Sequence, residues 1–290
     1  MQRLTHPFSM TQESHAAYPM PQLSERDFNS LAHFVTERLG IRMPRVKLLM
    51  VQSRLLRRLH ELGLDTFSDY QDLLLNSQSA EQEQRHFFDL ITTHKTDFYR
   101  EPAHFDFLAQ RILEKLPKGH LRLWSAGCSS GEEAYTLGMI LADHSVCHPG
   151  FSYEILGTDV SQRILNAARD AIYPEEHVAP VPLAQRKRYL LRGKDSQAGM
   201  VRIAPELRQR VEFMRLNLMD PRFPLSAEMN VIFFRNVMIY FDRPTQARVL
   251  SGICRHLCPG GHLFISHTES ILSSDLPLVQ VAPSVFRKLA

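Results

Sequence analysis

Gly127 and Gly131 bracket a short segment, Ser125-Ala126-Gly127-Cys128-Ser129-Ser130-Gly131, that runs straight into Glu132-Glu133. Glycine at these points lets the chain bend tightly and lets a ligand approach the backbone. The two acids stand where a phosphate would seek free helix amides. Carboxylates there repel phosphate but accept hydrogen bonds from an amine or a hydroxyl. The Rossmann glycine spacing is missing, and Gly193-Lys194 lacks the upstream glycine of a P-loop. A ligand with a cationic or neutral end, such as S-adenosyl-L-methionine (SAM), suits this turn better than NAD.

Asp159 closes the apolar run Phe151–Leu156 and Gly157-Thr158. From the end of a strand an acid can accept bonds from both ribose hydroxyls. The competing reading is a helix N-cap, since a helical run begins near Ser161. Cys254, Cys258 and His262 have a spacing that could suggest a metal. The cysteines would share one helical face with Leu250 and Leu257, so they read as small buried apolar residues and no metal site is expected. No Ser/His/Asp pattern stands out among the 14 histidines.

The elements that must position these residues fall into two kinds. From Ser24 to about Thr92 the apolar spacing is helical. One helix ends at Gly40 and a second at Gly63, with further candidates at Phe67–Leu75 and Ala80–Ile91. The second half alternates apolar strands with helices: Leu121–Ala126, Phe151–Asp159, Met229–Phe241 and a strand opened by a Pro259-Gly260-Gly261 turn. Apolar runs without strict alternation imply a parallel sheet covered on both faces. Between Tyr173 and Asn217 prolines and a basic stretch break that rhythm, and the short segments at Tyr189 and Met200 read as a small antiparallel β subdomain inserted at about 178–215. Residues 1–21, with three prolines among Ser, Thr, Gln and His, read as a flexible tail. The expected order is therefore tail (1–21), helical domain (22–92) and doubly wound α/β domain (93–290).

The composition is that of a folded soluble chain: 290 residues, 44% apolar, 22% charged. Four cysteines build no disulfide framework, and no run reaches the ~18 apolar residues of a membrane span, so a cytoplasmic location is expected. A net charge of +3 from 34 basic and 31 acidic residues gives no argument for nucleic acid. The charge is local instead. Six Lys/Arg and no acid lie between Ile41 and His60, and on a helical projection Lys47, Arg54, Arg57 and Arg58 gather on one side. That side is either a solvated basic face or a docking strip for an acidic helical surface.

Four segments in this order and at these intervals, Thr93–Glu101 (THKTDFYRE), Trp124–Leu137 (WSAGCSSGEEAYTL), Gly157–Leu165 (GTDVSQRIL) and Phe233–Asp242 (FFRNVMIYFD), resemble the chemotaxis receptor glutamate O-methyltransferases, the CheR family. The resemblance runs from about Ser24 to Leu289. It implies a class I SAM-dependent methyltransferase domain, doubly wound and Rossmann-like, with an inserted antiparallel β subdomain and a preceding all-α domain. It also implies methyl esterification of glutamates on the cytoplasmic helices of methyl-accepting chemoreceptors, with S-adenosyl-L-homocysteine as product. Carried over by position, His94, Thr96, Arg100, Glu133, Asp159, Asn217, Leu218, Phe234, Arg235 and Asn236 would line the cofactor site. Ala126 and Gly127 would form its backbone wall, with Arg100 and Tyr240 near the transferred methyl. His94 stands where the family commonly has Asn. The resemblance makes the basic strip a docking surface for the glutamate-rich receptor helices, and the compact loop Arg192–Ile203 resembles members that bind the receptor's C-terminal tail peptide. Rival readings are a methyltransferase acting on RNA or a small molecule, disfavoured because Arg235–Phe241 stands where an Asn-Pro-Pro-Tyr-like motif would, and a SAM or receptor-tail sensor without activity. A monomer without membrane insertion or nucleic-acid partner is expected.

Overall fold

The computed structural model describes residues 21–76, 80–116, 118–225, 228–271 and 276–289. The tail expected over residues 1–21 thus lies, but for Pro21, outside the described residues.

The first domain is four helices, α1 (Glu25–Leu39), α2 (Leu48–Leu62), α3 (Phe67–Asn76) and α4 (Ala80–Ile91). Ser24 caps α1 by accepting the Asp27 amide, and Gly40 ends it in the left-handed region at φ 70°. A Cβ on Gly40 would also lie 2.5 Å from the Met219 sulfur, so the same glycine allows the helical domain to seat on the second domain. Phe28, Leu31, Val35, Leu55, Tyr70 and Phe87 form the helical core. A charged group is built into it. Glu83 is buried, accepts the Tyr70 hydroxyl at 2.8 Å and pairs with Arg58.

The second domain begins with the short helix α5 (Ala103–Phe107), which precedes a seven-stranded sheet. The chain runs β1 (Gly119–Ala126), α6 (Glu132–Cys147), β2 (Phe151–Asp159), α7 (Gln162–Asp170), β3 (Ile172–Pro174), α8 (Leu183–Tyr189), β4 (Leu190–Arg192), β5 (Met200–Ile203), α9 (Pro205–Arg208), β6 (Val211–Arg215), β7 (Met229–Phe233), α10 (Arg243–Arg255), β8 (Leu257–Phe264), β9 (Leu278–Ala282) and β10 (Val285–Lys288). The large sheet has the order β6-β2-β1-β7-β8-β10-β9. Its first five strands are parallel, and β10 and β9 close one edge as an antiparallel hairpin. One sheet face packs Leu121, Leu123, Ile155, Phe213 and Phe233, and the other packs Trp124, Ile232, Phe234 and Leu263. Both faces are covered, as the apolar runs imply.

The small antiparallel sheet, β3-β5-β4, starts at Ile172 and ends at Ile203, and β6 belongs to the large sheet. The insertion is thus displaced toward the N-terminus from the expected 178–215, because Tyr173 already pairs with Val201. Two further differences concern boundaries. The apolar run from Met229 does not continue as one strand to Phe241: β7 stops at Phe233, Asn236 is left-handed at φ 59°, and a 3-10 turn follows at Met238–Tyr240. Asn236 is held there because its amide donates to Glu269 and its side chain to Ser266. Pro259-Gly260-Gly261 does not open β8 but bulges within it, since Met229 pairs with Leu257 and Val231 with His262. Cys258 therefore sits on a strand, and shares no helical face with Cys254.

Candidate functional site

A cavity of about 350 Å³ opens at the C-terminal ends of β1, β2 and β7, where ligands bind in doubly wound sheets. Gly127 forms its floor. It is left-handed at φ 82°, and a Cβ there would meet Val237 Cγ2 at 2.5 Å. The turn is clamped from below, as the Gly127 and Cys128 amides both donate to the Thr158 carbonyl, at 2.8 and 2.9 Å. Ser129 follows at φ 50°, a strained value for a residue with a side chain. It is held there because its amide donates to Asp159 Oδ2 and its hydroxyl to the His94 carbonyl.

Asp159 stands at the end of β2 with its carboxylate in the cavity wall. It accepts the Ser129 amide at 3.1 Å and the Ser161 amide at 3.0 Å. The helix cap is Ser161, whose side chain accepts the Ile164 amide, so Asp159 is not spent on capping α7. Burial pushes its carboxyl above the ordinary range, against the pull of the Ser161 amide, the His94 ring and the Ser129 amide. His94 lines the same wall with its Nε2 2.8 Å from Thr92 Oγ1. Burial holds that ring below its ordinary pKa, although the Asp159 charge pulls the other way.

Across the cavity lies an ionic group. Arg235 is buried beside the stacked rings of Phe105 and Phe233, its guanidinium carbon 5.4 and 5.8 Å from their centroids. Its Nη2 donates to the Arg100 carbonyl, and its Nε lies 3.5 Å from Glu133 and 3.9 Å from Glu101. Neither Nε nor Nη1 has a hydrogen-bond partner. Glu133 accepts the Ser125 hydroxyl at 2.7 Å. Burial raises its pKa, and the Arg235 charge opposes this. Buried donors left over beside a cavity call for a polar ligand. A zwitterionic amino-acid end fits Arg235 and Glu133, and a ribose diol fits Asp159, so these residues suit SAM.

The cavity brings together His94, Thr96, Arg100, Gly127, Glu133, Asp159, Asn217, Leu218, Arg235, Asn236 and Tyr240. It does not bring Ala126 or Phe234 to the surface. Both are buried in the core beneath the sheet's far face, because alternate strand residues point away from the site. Asn217 also spans the domains, donating to the Arg38 carbonyl at 2.8 Å. Arg100 keeps its guanidinium at the cavity by donating to the Lys95 carbonyl at 3.0 Å, and not by pairing with Asp97.

The four cations proposed as a docking strip do not form one free face. Arg54 donates to the Leu90 and Thr92 carbonyls at 2.9 and 3.1 Å, and Arg58 pairs with Glu83 and Glu61. Both flank the buried stripe Val51-Leu55-Leu59 and so reach α4 instead of solvent. Lys47 lines the cavity, its ammonium 5.8 Å from the Tyr240 ring centroid. Among the four, Arg57 faces outward, with 89% of its side chain exposed and Glu61 beside it. Leu39, Ile41, Lys47 and Ile91 of the helical domain line the cavity too. No motif marks Leu39, Ile41 or Ile91, and Lys47 stands out only as part of the basic strip, because they arrive by docking of one domain on the other.

Residues 94–284 match the family described as CheR methyltransferase, SAM binding domain, and residues 26–92 match the CheR methyltransferase, all-alpha domain. A chemotaxis protein methyltransferase of Borreliella burgdorferi is 35% identical over 92% of this chain and 95% of its own length. The chemotaxis protein methyltransferase of Escherichia coli is 37% identical over 86% of this chain and 85% of its own. Chemotaxis protein methyltransferase 2 of Pseudomonas aeruginosa is 35% identical over 91% and 93%. With both domains matched in sequence and the cavity lying at the parallel strand ends, the chain belongs to the CheR family of SAM-binding methyltransferases.

Proposed function

We propose that this protein methyl-esterifies glutamate side chains on the cytoplasmic helices of chemoreceptors. The observation that carries the reading is the cavity's electrostatics: acids for a cofactor inside, and Arg100, Lys47 and Tyr240 at its wall. When bound, SAM supplies a sulfonium-activated methyl group. A glutamate carboxylate, pKa about 4.3, is already ionised at neutral pH and needs no general base. With SAM held by Asp159, Glu133 and Arg235, the ester C–O bond would form as the methyl–sulfur bond breaks, the sulfur keeping the electron pair, and S-adenosyl-L-homocysteine would be the product. His94, the one imidazole among the described cavity residues, is engaged with Thr92, which agrees with a site lacking a base.

The protein's share is then placement. Arg100 can grip a carboxylate through two parallel bonds. Tyr240 and Lys47 narrow the mouth and exclude water, which favours in-line attack. Along this helical segment Val46 and Leu49 are 86% and 73% exposed and Arg57 faces outward too, apolar and basic groups suited to an amphipathic acidic helix. The small sheet leaves β4 with an unpaired edge, and an extended receptor-tail peptide can add there as a further strand. Its hairpin is closed by the Gly193 amide donating to the Met200 carbonyl.

The test is incubation with methyl-labelled SAM and chemoreceptor-containing membranes. Label on a receptor-sized band, released as methanol by mild base, establishes carboxyl methylation. Base-stable label overturns the glutamate assignment. SAM affinity of Asp159→Asn is the companion measurement. A loss of at least tenfold is expected, and unchanged affinity removes Asp159 from the cofactor site.

A further inference from the structure

Beside Arg235, whose Nε lies near both Glu133 and Glu101, three side chains converge that methyl transfer does not use: Glu101, His104 and His267. Each offers a ligand atom, and these atoms lie within 4.8 Å of one another. Glu101 Oε2 is 3.5 Å from His104 Nδ1 and 4.0 Å from His267 Nε2. In a tetrahedral site with ligands about 2.0–2.2 Å from the ion, neighbouring ligand atoms are about 3.4 Å apart. Two of the edges are therefore close to formed.

The second observation is His104 itself. Its side chain is 98% buried, and neither ring nitrogen has a hydrogen-bond partner. Buried imidazoles ordinarily satisfy at least one nitrogen. With neither nitrogen engaged by the protein, the ring can offer a lone pair to an ion. The supporting groups are also in place. Ser266 Oγ donates to Glu101 Oε1 at 2.8 Å, the His267 amide donates to Oε2 at 3.2 Å, and Ser284 Oγ lies 3.3 Å from His267 Nδ1. Contacts of this kind fix a ligand's orientation and leave His267 Nε2 facing Glu101.

We propose that Glu101, His104 and His267 form a binding site for a first-row transition dication of the zinc type. Two imidazoles and one carboxylate favour zinc, nickel or copper over magnesium or calcium. Arg235, 3.9 Å from Glu101, opposes any dication electrostatically, so affinity rests on the bonds from the two imidazoles and the carboxylate. The fourth position opens to water past His267, which is 44% exposed. The ion ties the loop at Glu101 to the turn at Ser266, a structural clip beside the cofactor cavity. It takes no part in methyl transfer, and it stands whether or not glutamate is the substrate.

The test uses tag-free full-length protein, stripped with chelator and titrated with Co²⁺ and then Zn²⁺. One equivalent of Co²⁺ with tetrahedral d–d absorption, displaced by Zn²⁺, is expected. His267→Ala and Glu101→Gln should each weaken Zn²⁺ binding at least tenfold by calorimetry. The stacked pair His144 and His148, ring centroids 4.0 Å apart, is the competing surface. The double variant His144→Ala/His148→Ala should bind as the wild type does. Absence of the Co²⁺ bands, binding that survives both His267→Ala and Glu101→Gln, or binding lost with His144 and His148 overturns the site. His267 is partly exposed, so its removal should keep the fold, checked by an unchanged circular dichroism spectrum.

Discussion

The Lys47 ammonium stands 5.8 Å from the centroid of the Tyr240 ring, and the two residues belong to different domains. That is within reach of a cation–π contact, worth ~0.5–1 kcal/mol where exposed. Burial, with Arg54 adding to it, lowers the Lys47 pKa. The contact is backed by the Arg42 amide, which donates to the Tyr240 carbonyl at 2.9 Å. The mouth of the cavity is consequently made by both domains.

The floor of the cavity sets a steric limit. Gly127→Ala forces a Cβ to within 2.5 Å of Val237 and keeps an unfavourable φ of 82°. Overpacking of this kind costs about 1–3 kcal/mol. Thermal unfolding should show the loss, and adding Val237→Ala should recover part of it. No recovery would mean that backbone strain, and not the collision, dominates.

Arg235 is the buried partner of Glu133 and Glu101. Replacing it with alanine strands two carboxylates beside one another. Breaking a buried pair this way costs about 3–5 kcal/mol. Arg235→Ala should lower the melting temperature even without cofactor, and SAM affinity should fall with it. Wild-type stability in the variant would contradict the pairing.

His94 gives a pH dependence with a definite sign. Its folded pKa lies below 6.5 because burial disfavours the charged ring. Above 6.5 both folded and unfolded chains carry it neutral, and it contributes nothing. As pH falls below 6.5 the unfolded chain takes up the proton first, so stability declines until the lower folded value is passed. His94→Asn should flatten this part of the acid limb in melting curves taken between pH 7 and 5, the ordinary range of histidine titration. Parallel curves for the two proteins would remove His94 from the account.

The basic residues of α2 separate into structural and outward groups. Arg54→Ala leaves the Leu90 and Thr92 carbonyls without their donor and should cost about 1–3 kcal/mol of stability. Arg57→Glu should leave stability and SAM affinity unchanged while raising the KM for receptor. A triple reversal at Lys47, Arg54 and Arg58 would disturb cavity, packing and docking together. Unaltered receptor KM in Arg57→Glu would take that side chain out of the docking surface.

Much of the architecture is written in local pattern. Ser24 and Gly40 mark α1, and the apolar runs ending at Ala126 and Asp159 mark two neighbouring parallel strands. Local pattern fails where a distant partner decides conformation. Asn236 breaks an apolar run because Ser266 and Glu269 hold it, and neither is near it in sequence. Arg54 and Arg58 look free on a helical wheel because the wheel omits α4 and Glu83. For the site, the glycine turn, Glu133 and Asp159 could be chosen from residue type and spacing. Arg235 and Asn217 came through the family resemblance, and the helical domain's wall of Leu39 and Ile41 had no sequence signal.

That shared wall ties cofactor affinity to domain docking. A ligand seated against Ile41 and Ile91 as well as Gly127 and Asp159 binds only while the two domains are apposed. At a hundred times its Kd it adds about 2.7 kcal/mol to the bound arrangement, and part of that falls on the joint itself. SAM would therefore act as an adhesive, merging two melting events into one cooperative transition. A methyltransferase domain cut free near residue 93 would keep its sheet and lose one side of its cofactor's berth.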